Sequence, residues 1–199
     1  VGDDCHRLNS LGDLNDWQQH VASQIRGDSR PMFAVCISFA SALLYLLQME
    51  NSGFNFLGDS SIGKSTILII AASVFGNPRT IVTTWNATSN GLEAIAALSN
   101  DASLILDEMK QLPAEIAGVT AYHLMNGKGR SRANITGGSK GVTVWRLIVL
   151  SSGEIGLEGL SSGKGVRTYA GQAQRLADIP ADAGKGLGVF SHLGDFATS

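Results

Sequence analysis

The chain has 199 residues, 44% of them hydrophobic and 16% charged, which excludes a disordered chain and allows one domain with a buried core. The formal net charge of −2 excludes a protein that coats nucleic acid through its overall charge, so any such contact needs a local basic patch. Two cysteines, Cys5 and Cys36, and four histidines favour neither a zinc site nor a disulfide scaffold, and a reducing cytoplasm is the expected compartment.

The first fifty residues are predicted to form a helical segment that packs on a core formed by residues 51–199. Residues 13–26 place Trp17, Val21 and Ile25 at the spacing of an amphipathic helix. Residues 32–47 carry no charge, but a membrane span needs about 20 apolar residues. A buried core helix that begins near Pro31 is therefore expected, and no contact with a membrane.

Strands and helices are predicted to alternate through the rest of the chain. The predicted strands are residues 54–57, 79–85, 103–106, 142–150 and 174–179. The predicted helices are residues 65–75, a helix capped by Asn90 with Glu93 completing a capping-box-like pattern, and residues 113–125. Such alternation predicts the α/β class, a three-layer sandwich with a central, mostly parallel sheet covered on both faces.

A complete phosphate-binding pattern follows the first predicted strand. Gly58, Gly63, Lys64 and Ser65 match G-x-x-x-x-G-K-[ST], in which glycines let successive backbone N–H groups turn toward one anion. The lysine supplies charge for the β- and γ-phosphates, and the serine hydroxyl is a ligand for Mg²⁺. The residues predicted to contact ATP are Gly58, Asp59, Ser60, Ser61, Ile62, Gly63, Lys64, Ser65 and Thr66.

Two adjacent carboxylates end the apolar run of residues 103–106. Asp107 is predicted to hold Mg²⁺ together with Ser65, and Glu108 to act as the base that polarises an attacking water. The alternative is an ordinary acidic turn after a buried strand. The position of the pair some forty residues after the phosphate loop favours a hydrolytic site.

A serine pair ends the next apolar strand. Ser152 or Ser151 is predicted to sense the γ-phosphate and to position the water. The alternative is a structural one, because Ser151 and Glu154 also fit a capping box.

An arginine precedes the last predicted strand. Arg175 is predicted to reach the nucleotide of a neighbouring subunit, and Arg167 is the competing candidate. A structural pairing of Arg175 with Asp178 or Asp182 is the alternative.

A basic stretch lies between the acidic pair and the serine pair. No Asp or Glu occurs from Ile116 to Gly153, and residues 128–145 are predicted to form a hairpin. The cations predicted to bind DNA phosphates are Lys128, Arg130, Arg132 and Lys140. A solvated basic loop without a partner is the alternative. Arg146, Trp85, Trp145 and His123 are predicted to be structural.

These motifs together resemble one known family. The order GDSSIGKST, TWNATSNGLE, LILDE, NGKGR, WRLIVLSSGE and QRLADIPADAGKGLGVF is similar to the domain of unknown function 927 family of primase- and helicase-like proteins. The layout also resembles superfamily III helicases of the AAA+ group, except that serine stands where those helicases usually have asparagine. The resemblance implies a ring ATPase, with the hairpin holding DNA and Arg175 acting between subunits.

The leading hypothesis is therefore an ATP-hydrolysing motor domain of a phage or mobile-element protein. It would use ATP and Mg²⁺, act on DNA, which is expected to be single-stranded, and assemble as a homo-oligomeric ring, expected to be a hexamer. The alternatives are a nucleotide-dependent assembly switch or binding module, and a small-molecule kinase. No arginine-rich lid follows the serine pair, and Glu108 suits water activation, so the kinase is disfavoured.

Overall fold

Helices and strands alternate along the chain, as predicted. The computed structural model describes residues 8–10, 12–130, 132–133, 139–162 and 175–192. The helices are α1 (Leu14–Trp17), α2 (Ser29–Leu43), α3 (Lys64–Ala72), α4 (Pro78–Ile81), α5 (Ser89–Leu98), α6 (Ala114–Asn126) and α7 (Leu157–Ser162), with a π-helical turn at Gln18–Ala22 and a 3₁₀ turn at Met109–Gln111. The strands are β1 (Ser52–Leu57), β2 (Thr83–Thr84), β3 (Ala102–Asp107), β4 (Arg132–Ala133), β5 (Ser139–Lys140), β6 (Leu147–Gly153) and β7 (Leu176–Pro180).

Five strands form one parallel sheet in the order β2-β3-β6-β1-β7. The register aligns Leu57 with both Gly153 and Pro180, and Leu106 with Ser151. Because all five strands run the same way, their carboxyl ends meet at one edge of the sheet. The phosphate loop, the acidic pair and the serine pair follow or end strands, so this edge brings them together.

Helices cover both faces of the sheet and complete the three-layer sandwich. Helices α2 and α3 pack on one face, where Ile148 and Leu150 of β6 point. Helices α5, α6 and α7 lie on the other face, with Leu147 and Val149. This alternation along β6 is the period-2 geometry of a strand buried on both sides. The predicted fold class is confirmed.

Helix α2 is buried on one face only. Ala34 and Ile37 are buried, whereas the side chains of Phe39 and Leu43 are 52% and 46% exposed. The prediction of a buried core helix is therefore right for half of its surface. In the part of the chain that the structure describes, no helix combines the length and apolar character needed to cross a bilayer.

The predicted strand at residues 79–85 is largely wrong. Its first half is helix α4, because Pro78 fixes a helical φ at the first position and the Asn77 side chain caps it by accepting from Arg79 N at 3.1 Å. Only Thr83 and Thr84 remain as strand β2.

The predicted strand at residues 142–150 begins five residues too early. Val144 forms an antiparallel bridge with Lys128, and Trp145 N donates to Gly127 O at 3.0 Å. These bonds assign residues 144 and 145 to the base of the basic hairpin. The parallel strand starts only at Leu147, whose N–H donates to Asn51 Oδ1 at 3.0 Å.

Two helices also differ from their predictions, one in its continuity and the other in its capping residue. The helix predicted at residues 13–26 is interrupted after Trp17 by the π-helical turn. Helix α5 is capped by Thr88, whose side chain accepts from Gly91 N at 3.1 Å, and not by Asn90. The Glu93 carboxylate turns instead toward the basic hairpin.

Candidate nucleotide site

The phosphate loop connects β1 to α3 at the carboxyl edge of the sheet. Its backbone is left-handed at Ser61 and Gly63, with φ of 63° and 96°. Helix α3 begins at Lys64, so the exposed Ser65 lies in its first turn. A tight loop that leads into a helix amino terminus directs unpaired N–H groups at one point, which is the geometry that binds phosphate.

Lys64 lies over this loop. Its Nζ donates to Gly58 O at 2.9 Å and to Asp59 O, which are carbonyls of the loop itself. Loop carbonyls are weak partners for an ammonium group compared with phosphate oxygens. The side chain is therefore positioned to exchange these bonds for contacts with a polyphosphate.

A second segment holds the loop from outside, and sequence reasoning missed it as part of the site. Residues 181–190, named here the cover segment, hydrogen-bond to both ends of the loop. Ala181 N donates to Leu57 O at 2.8 Å, and Val189 N donates to Ile62 O at 2.9 Å. The only signal in the sequence is the glycine-rich run at 184–188, which is common to many loops.

Glycines make this close approach possible. Gly188 has φ of 61°, and a Cβ built on it would collide with the Ile62 carbonyl. A Cβ on Gly63 would lie 2.8 Å from Val189 Cγ2. Side chains at these two positions would therefore separate the cover segment from the phosphate loop.

Asp107 and Ser152 are in contact beside the loop. Asp107 ends β3 and Ser152 lies in the adjacent strand β6. The Ser152 hydroxyl donates to Asp107 Oδ1, and Glu108 N donates to Asp107 Oδ1 at 3.0 Å and to Ser152 Oγ at 3.3 Å. In the sheet order β3-β6-β1, Ser152 lies one strand spacing, about 5 Å, from the strand that carries the phosphate loop, and Asp107 lies two spacings, about 10 Å, from it.

The two serines have different surroundings. The Ser151 hydroxyl accepts from Trp85 Nε1 at 2.8 Å in the buried cluster under α5 and α6. Ser152 points to the opposite face, which carries α3 and the phosphate loop. The geometry thus favours Ser152 as the sensor candidate. The capping-box alternative for Ser151 is wrong, because its hydroxyl is engaged by Trp85.

Glu108 has a strained backbone. Its φ of 62° and ψ of 63° lie in the left-handed region, which costs a non-glycine residue about 1–2 kcal/mol. The half-buried side chain follows Asp107 directly and precedes the 3₁₀ turn. Strain of this kind persists where the surrounding structure imposes a direction on a side chain, as at the position of a catalytic base.

An exposed ion pair flanks these groups. Lys110 Nζ lies 2.9 Å from Glu154 Oε2. The hydrogen bond from Lys110 and the attraction of its charge lower the pKa of Glu154, and Lys64 adds to this effect. The same hydrogen bond and charge raise the pKa of Lys110. The pair joins the turn after Glu108 to the end of β6.

Arg175 lies at the other edge of the sheet. It immediately precedes β7, so it is separated from the phosphate loop by the length of the strands. Its guanidinium carbon lies 5.0 Å from the ring centroid of Tyr122. The alternative partners Asp178 and Asp182 form no ion pair with it among the described residues. Arg167 lies outside the described residues.

The basic hairpin has antiparallel pairing at two levels. Lys128 bridges to Val144, and β4 pairs with β5 so that Arg132 aligns with Lys140. Arg130 Nε lies 3.7 Å from Glu93 Oε1, which partly neutralises this cation. Gly137 and Gly138, predicted near the turn, lie outside the described residues.

The aromatic residues near these motifs are structural, as predicted. Trp85 and Trp145 are 0% and 4% exposed, and the indole of Trp145 donates to Leu124 O at 2.8 Å. Neither ring is available for stacking on a base.

The donor groups fit Mg²⁺ bound together with a nucleotide. The described residues contain no cluster of three or more His, Cys, Asp or Glu side chains. Magnesium is typically held by one carboxylate, a hydroxyl, water and substrate phosphates, with no full protein cage. Asp107 and Ser65 supply that limited set at one edge of the sheet.

The sheet order, the glycine loop and the helix that follows define a P-loop type α/β fold. The model of the family described as Domain of unknown function (DUF927) matches residues 3–144. The chain belongs to this family. No curated protein matches the chain.

Solved structures of two proteins are similar over most of the chain. The structure described as "SCCmec type IV Cch - active helicase" is 25% identical with a TM-score of 0.71, over 89% of this chain. The match covers 33% of that protein, so the chain spans about a third of its length. NtrX from Brucella abortus is 14% identical to the chain in two further structures. The complex with ATP has a TM-score of 0.44 over 87% of this chain and 39% of NtrX. The complex with ADP has a TM-score of 0.40 over 83% of this chain and 40% of NtrX. That similarity is too low to support an argument.

Proposed function

We propose that the chain is an ATP-hydrolysing motor domain of AAA+ type that acts on DNA as a helicase or translocase. The observation that carries the proposal is the contact between Asp107 and Ser152 beside a complete phosphate loop, with the strained Glu108 immediately after. A binding module needs the loop alone. Hydrolysis also needs two carboxylates at this edge, one that holds the metal and one that orients the attacking water.

The geometry supports the following roles. Lys64 and the loop N–H groups bind the β- and γ-phosphates, and the Ser65 hydroxyl and Asp107 hold the metal, which neutralises charge on the phosphates when bound. The Ser152 hydroxyl keeps Asp107 in place and marks the γ-phosphate position. Glu108 accepts a proton from the attacking water.

Arg175 supports a ring in which neighbouring subunits complete each other's sites. It lies at the amino edge of the sheet, so it is remote from the phosphate loop of its own chain. An arginine there is useful for hydrolysis only if it meets the nucleotide of another copy, where it would stabilise transition-state charge. We propose a homo-oligomeric ring, with a hexamer as the expected form.

DNA binding is assigned to the basic hairpin. Lys128, Arg130, Arg132 and Lys140 are candidates for contacts with the phosphates of single-stranded DNA. The similar structure described as an active helicase supports this class of activity. Cytoplasmic localisation, and an origin in a primase-helicase-like protein of a phage or mobile element, remain part of the proposal.

The test measures ATP hydrolysis with and without single-stranded DNA, together with mass in the presence of a slowly hydrolysed ATP analogue. Stimulation by DNA and a ring-sized mass are expected. A monomer that hydrolyses ATP equally with and without DNA would contradict the motor and favour an assembly switch or binding module.

A single substitution tests the hairpin. Lys140→Ala is expected to weaken DNA binding by more than it lowers basal hydrolysis, because β5 lies outside the parallel sheet. Arg79→Ala, an exposed cation on α4, is the matched control for lost charge. Equal losses of DNA affinity and basal hydrolysis in the Lys140 variant would contradict a direct role in DNA binding.

A further inference from the structure

A large open cavity lies at the edge of the sheet opposite the phosphate loop. Its volume is about 690 Å³, within the range of ligand sites. Asn51, Asp101, Arg146 and Arg175 line it, and each immediately precedes a parallel strand, respectively β1, β3, β6 and β7. The cavity is therefore formed by the amino ends of four strands and cannot share a ligand with the chain's own phosphate loop.

Three of the cations that line this cavity have no counterion in the part of the chain that the structure describes. Among the described residues, Lys128, Arg146 and Arg175 have no carboxylate within 4.0 Å and donate no side-chain hydrogen bond. Arg146 Nη1 is buried and has no partner in that part of the chain. An unpaired cationic nitrogen removed from water is costly, so a rotation of the Arg146 guanidinium toward an acceptor in the cavity would be favourable.

The two arginines are held in similar ways. The Arg146 guanidinium lies 5.0 Å from the ring centroid of Tyr45, and that of Arg175 lies 5.0 Å from the ring centroid of Tyr122. Stacking on a ring orients the planar fork and leaves its N–H groups free for an anion. The two guanidinium groups are therefore preorganised donors for an oxyanion.

The acidic groups of the cavity do not neutralise these cations. Glu50 and Asp101 line it, but both are exposed. Asp101 Oδ2 accepts from Asn100 Nδ2 at 2.6 Å. The backbone of Asp101 is also left-handed, with φ of 60°, as is that of Gln48 in the same lining, with φ of 52°. Local strain at two lining positions is typical of a functional site.

We propose that this cavity binds a phosphate-bearing anion, with Arg146 and Arg175 as its principal donors. Two sources share this chemistry, namely the polyphosphate of a nucleotide held by a second copy of the chain, and a free phosphate compound. The second-copy source rests on the ring proposed above, whereas the anion site does not.

The first experiment titrates inorganic tripolyphosphate into the full chain carrying Lys64→Ala, which disables the phosphate loop. Calorimetry is expected to detect one remaining site. Adding Arg146→Ala is expected to weaken it by about tenfold or more, the usual cost of losing a charge-assisted hydrogen bond. Adding Arg79→Ala, the matched charge control at a residue that does not line the cavity, is expected to leave the affinity unchanged.

Two further variants guard against a folding artefact. Arg146→Lys keeps the charge and loses the planar guanidinium with its paired N–H donors. Its affinity for tripolyphosphate is therefore expected to lie between that of the chain with Arg146 and that of the Arg146→Ala chain. Arg175→Ala removes the second donor from a different strand end and is expected to weaken the site similarly. Far-UV circular dichroism verifies that each protein is folded.

The second experiment identifies the source of the anion. If the anion belongs to a neighbouring copy, chains with Lys64→Ala and chains with Arg146→Ala each hydrolyse ATP poorly, and mixing them restores activity. Tripolyphosphate binding at the cavity together with normal hydrolysis by the Arg146→Ala chain alone identifies a free phosphate compound.

The proposal is overturned if the Lys64→Ala chain binds no tripolyphosphate or if the Arg146 and Arg175 variants bind it as tightly. It is equally overturned if these variants lose affinity for single-stranded DNA alone, which would assign the cavity to a nucleic-acid backbone. A chain without any ATPase activity would contradict the proposed motor, yet the calorimetric result would still decide on the anion site.

Discussion

The hydroxyl of Ser152 donates a hydrogen bond to Oδ1 of Asp107, which joins strand β6 to strand β3 on the face of the sheet that carries the phosphate loop. The neighbouring Ser151 points to the other face and accepts from the indole of Trp85. One step along a strand therefore separates a residue of the candidate site from a residue of the core.

This difference predicts opposite effects for two alanine substitutions. Ser152→Ala is expected to lower the kcat of ATP hydrolysis by about a hundredfold with little loss of stability, because Asp107 loses an orienting donor. Ser151→Ala is expected to cost about 1–3 kcal/mol of unfolding free energy, because Trp85 Nε1 is left buried without an acceptor. Steady-state kinetics and urea unfolding of both variants measure the two effects. Reversed effects would assign the sensor role to Ser151.

The left-handed backbone of Glu108 predicts a gain of stability at the expense of activity. Glu108→Gly is expected to raise the unfolding free energy by about 1 kcal/mol, because glycine adopts this conformation without the Cβ clash. Glu108→Gln keeps the strain, so its stability should be unchanged. Both variants are expected to lose about 10²–10⁴ in kcat and to retain ATP binding. Full activity in the glutamine variant would exclude Glu108 as the base.

The cover segment predicts a contrast between two glycines. Both Gly184 and Gly188 have left-handed backbones, with φ of 73° and 61°, but a Cβ on Gly184 would meet nothing within 4 Å. Gly184→Ala is therefore expected to cost about 1–2 kcal/mol of stability from backbone strain alone. Gly188→Ala adds a collision with Ile62 and is expected to weaken ATP binding at least tenfold as well. Equal ATP affinities in a fluorescent-nucleotide titration would show that the cover segment does not support the loop.

The Lys110–Glu154 pair makes the free energy of unfolding depend on pH in a definite direction. The folded-state pKa of Glu154 lies below its ordinary value of 4.5, so the pair's contribution to stability is present above about pH 4.5 and is lost as the pH falls through the lowered pKa. The folded-state pKa of Lys110 is raised above its ordinary value of 10.5, so its contribution to stability is fully present below about pH 10.5 and is lost as the pH rises through the raised pKa. The Glu154 carboxyl resonance, followed by NMR, should titrate closer to 4.5 in Lys110→Ala. An unchanged titration would mean that the pair does not persist in solution.

The parts of the fold that the sequence predicts correctly are those determined by patterns of neighbouring residues. The phosphate loop is a contiguous run of eight residues, and the apolar runs before Asp107 and before Ser151 mark strands that are buried on both faces. Because parallel strands align their carboxyl ends, the meeting of these motifs at one edge also followed from the sequence.

The wrong predictions arose where a distant or competing bond decides the structure. The alternation at residues 79–85 suits a strand, yet the Asn77 cap and Pro78 start a helix there. The apolar residues before Leu147 suit a strand, yet the bridge between Lys128 and Val144 places them in the hairpin base.

Other features of the candidate site had no local signal. The contact of the cover segment with the phosphate loop joins residues more than 120 positions apart. The left-handed conformation of Glu108 goes against the preference of its residue type. The separation of Ser151 from Ser152 depended on which of two adjacent side chains met Trp85, a residue 66 positions away from Ser151.

Strand β7 has a consequence for communication within an assembly. Arg175 precedes its first residue and faces the cavity, while Ala181 follows its last residue and is bonded to the strand that enters the phosphate loop. Five residues, about 17 Å of extended chain, thus connect the two edges of the sheet. If nucleotide binding displaced the cover segment, strand β7 would shift with it as a rigid element and would displace Arg175. In the proposed ring, each subunit would then transmit the occupancy of its own nucleotide site to the next subunit through a single strand.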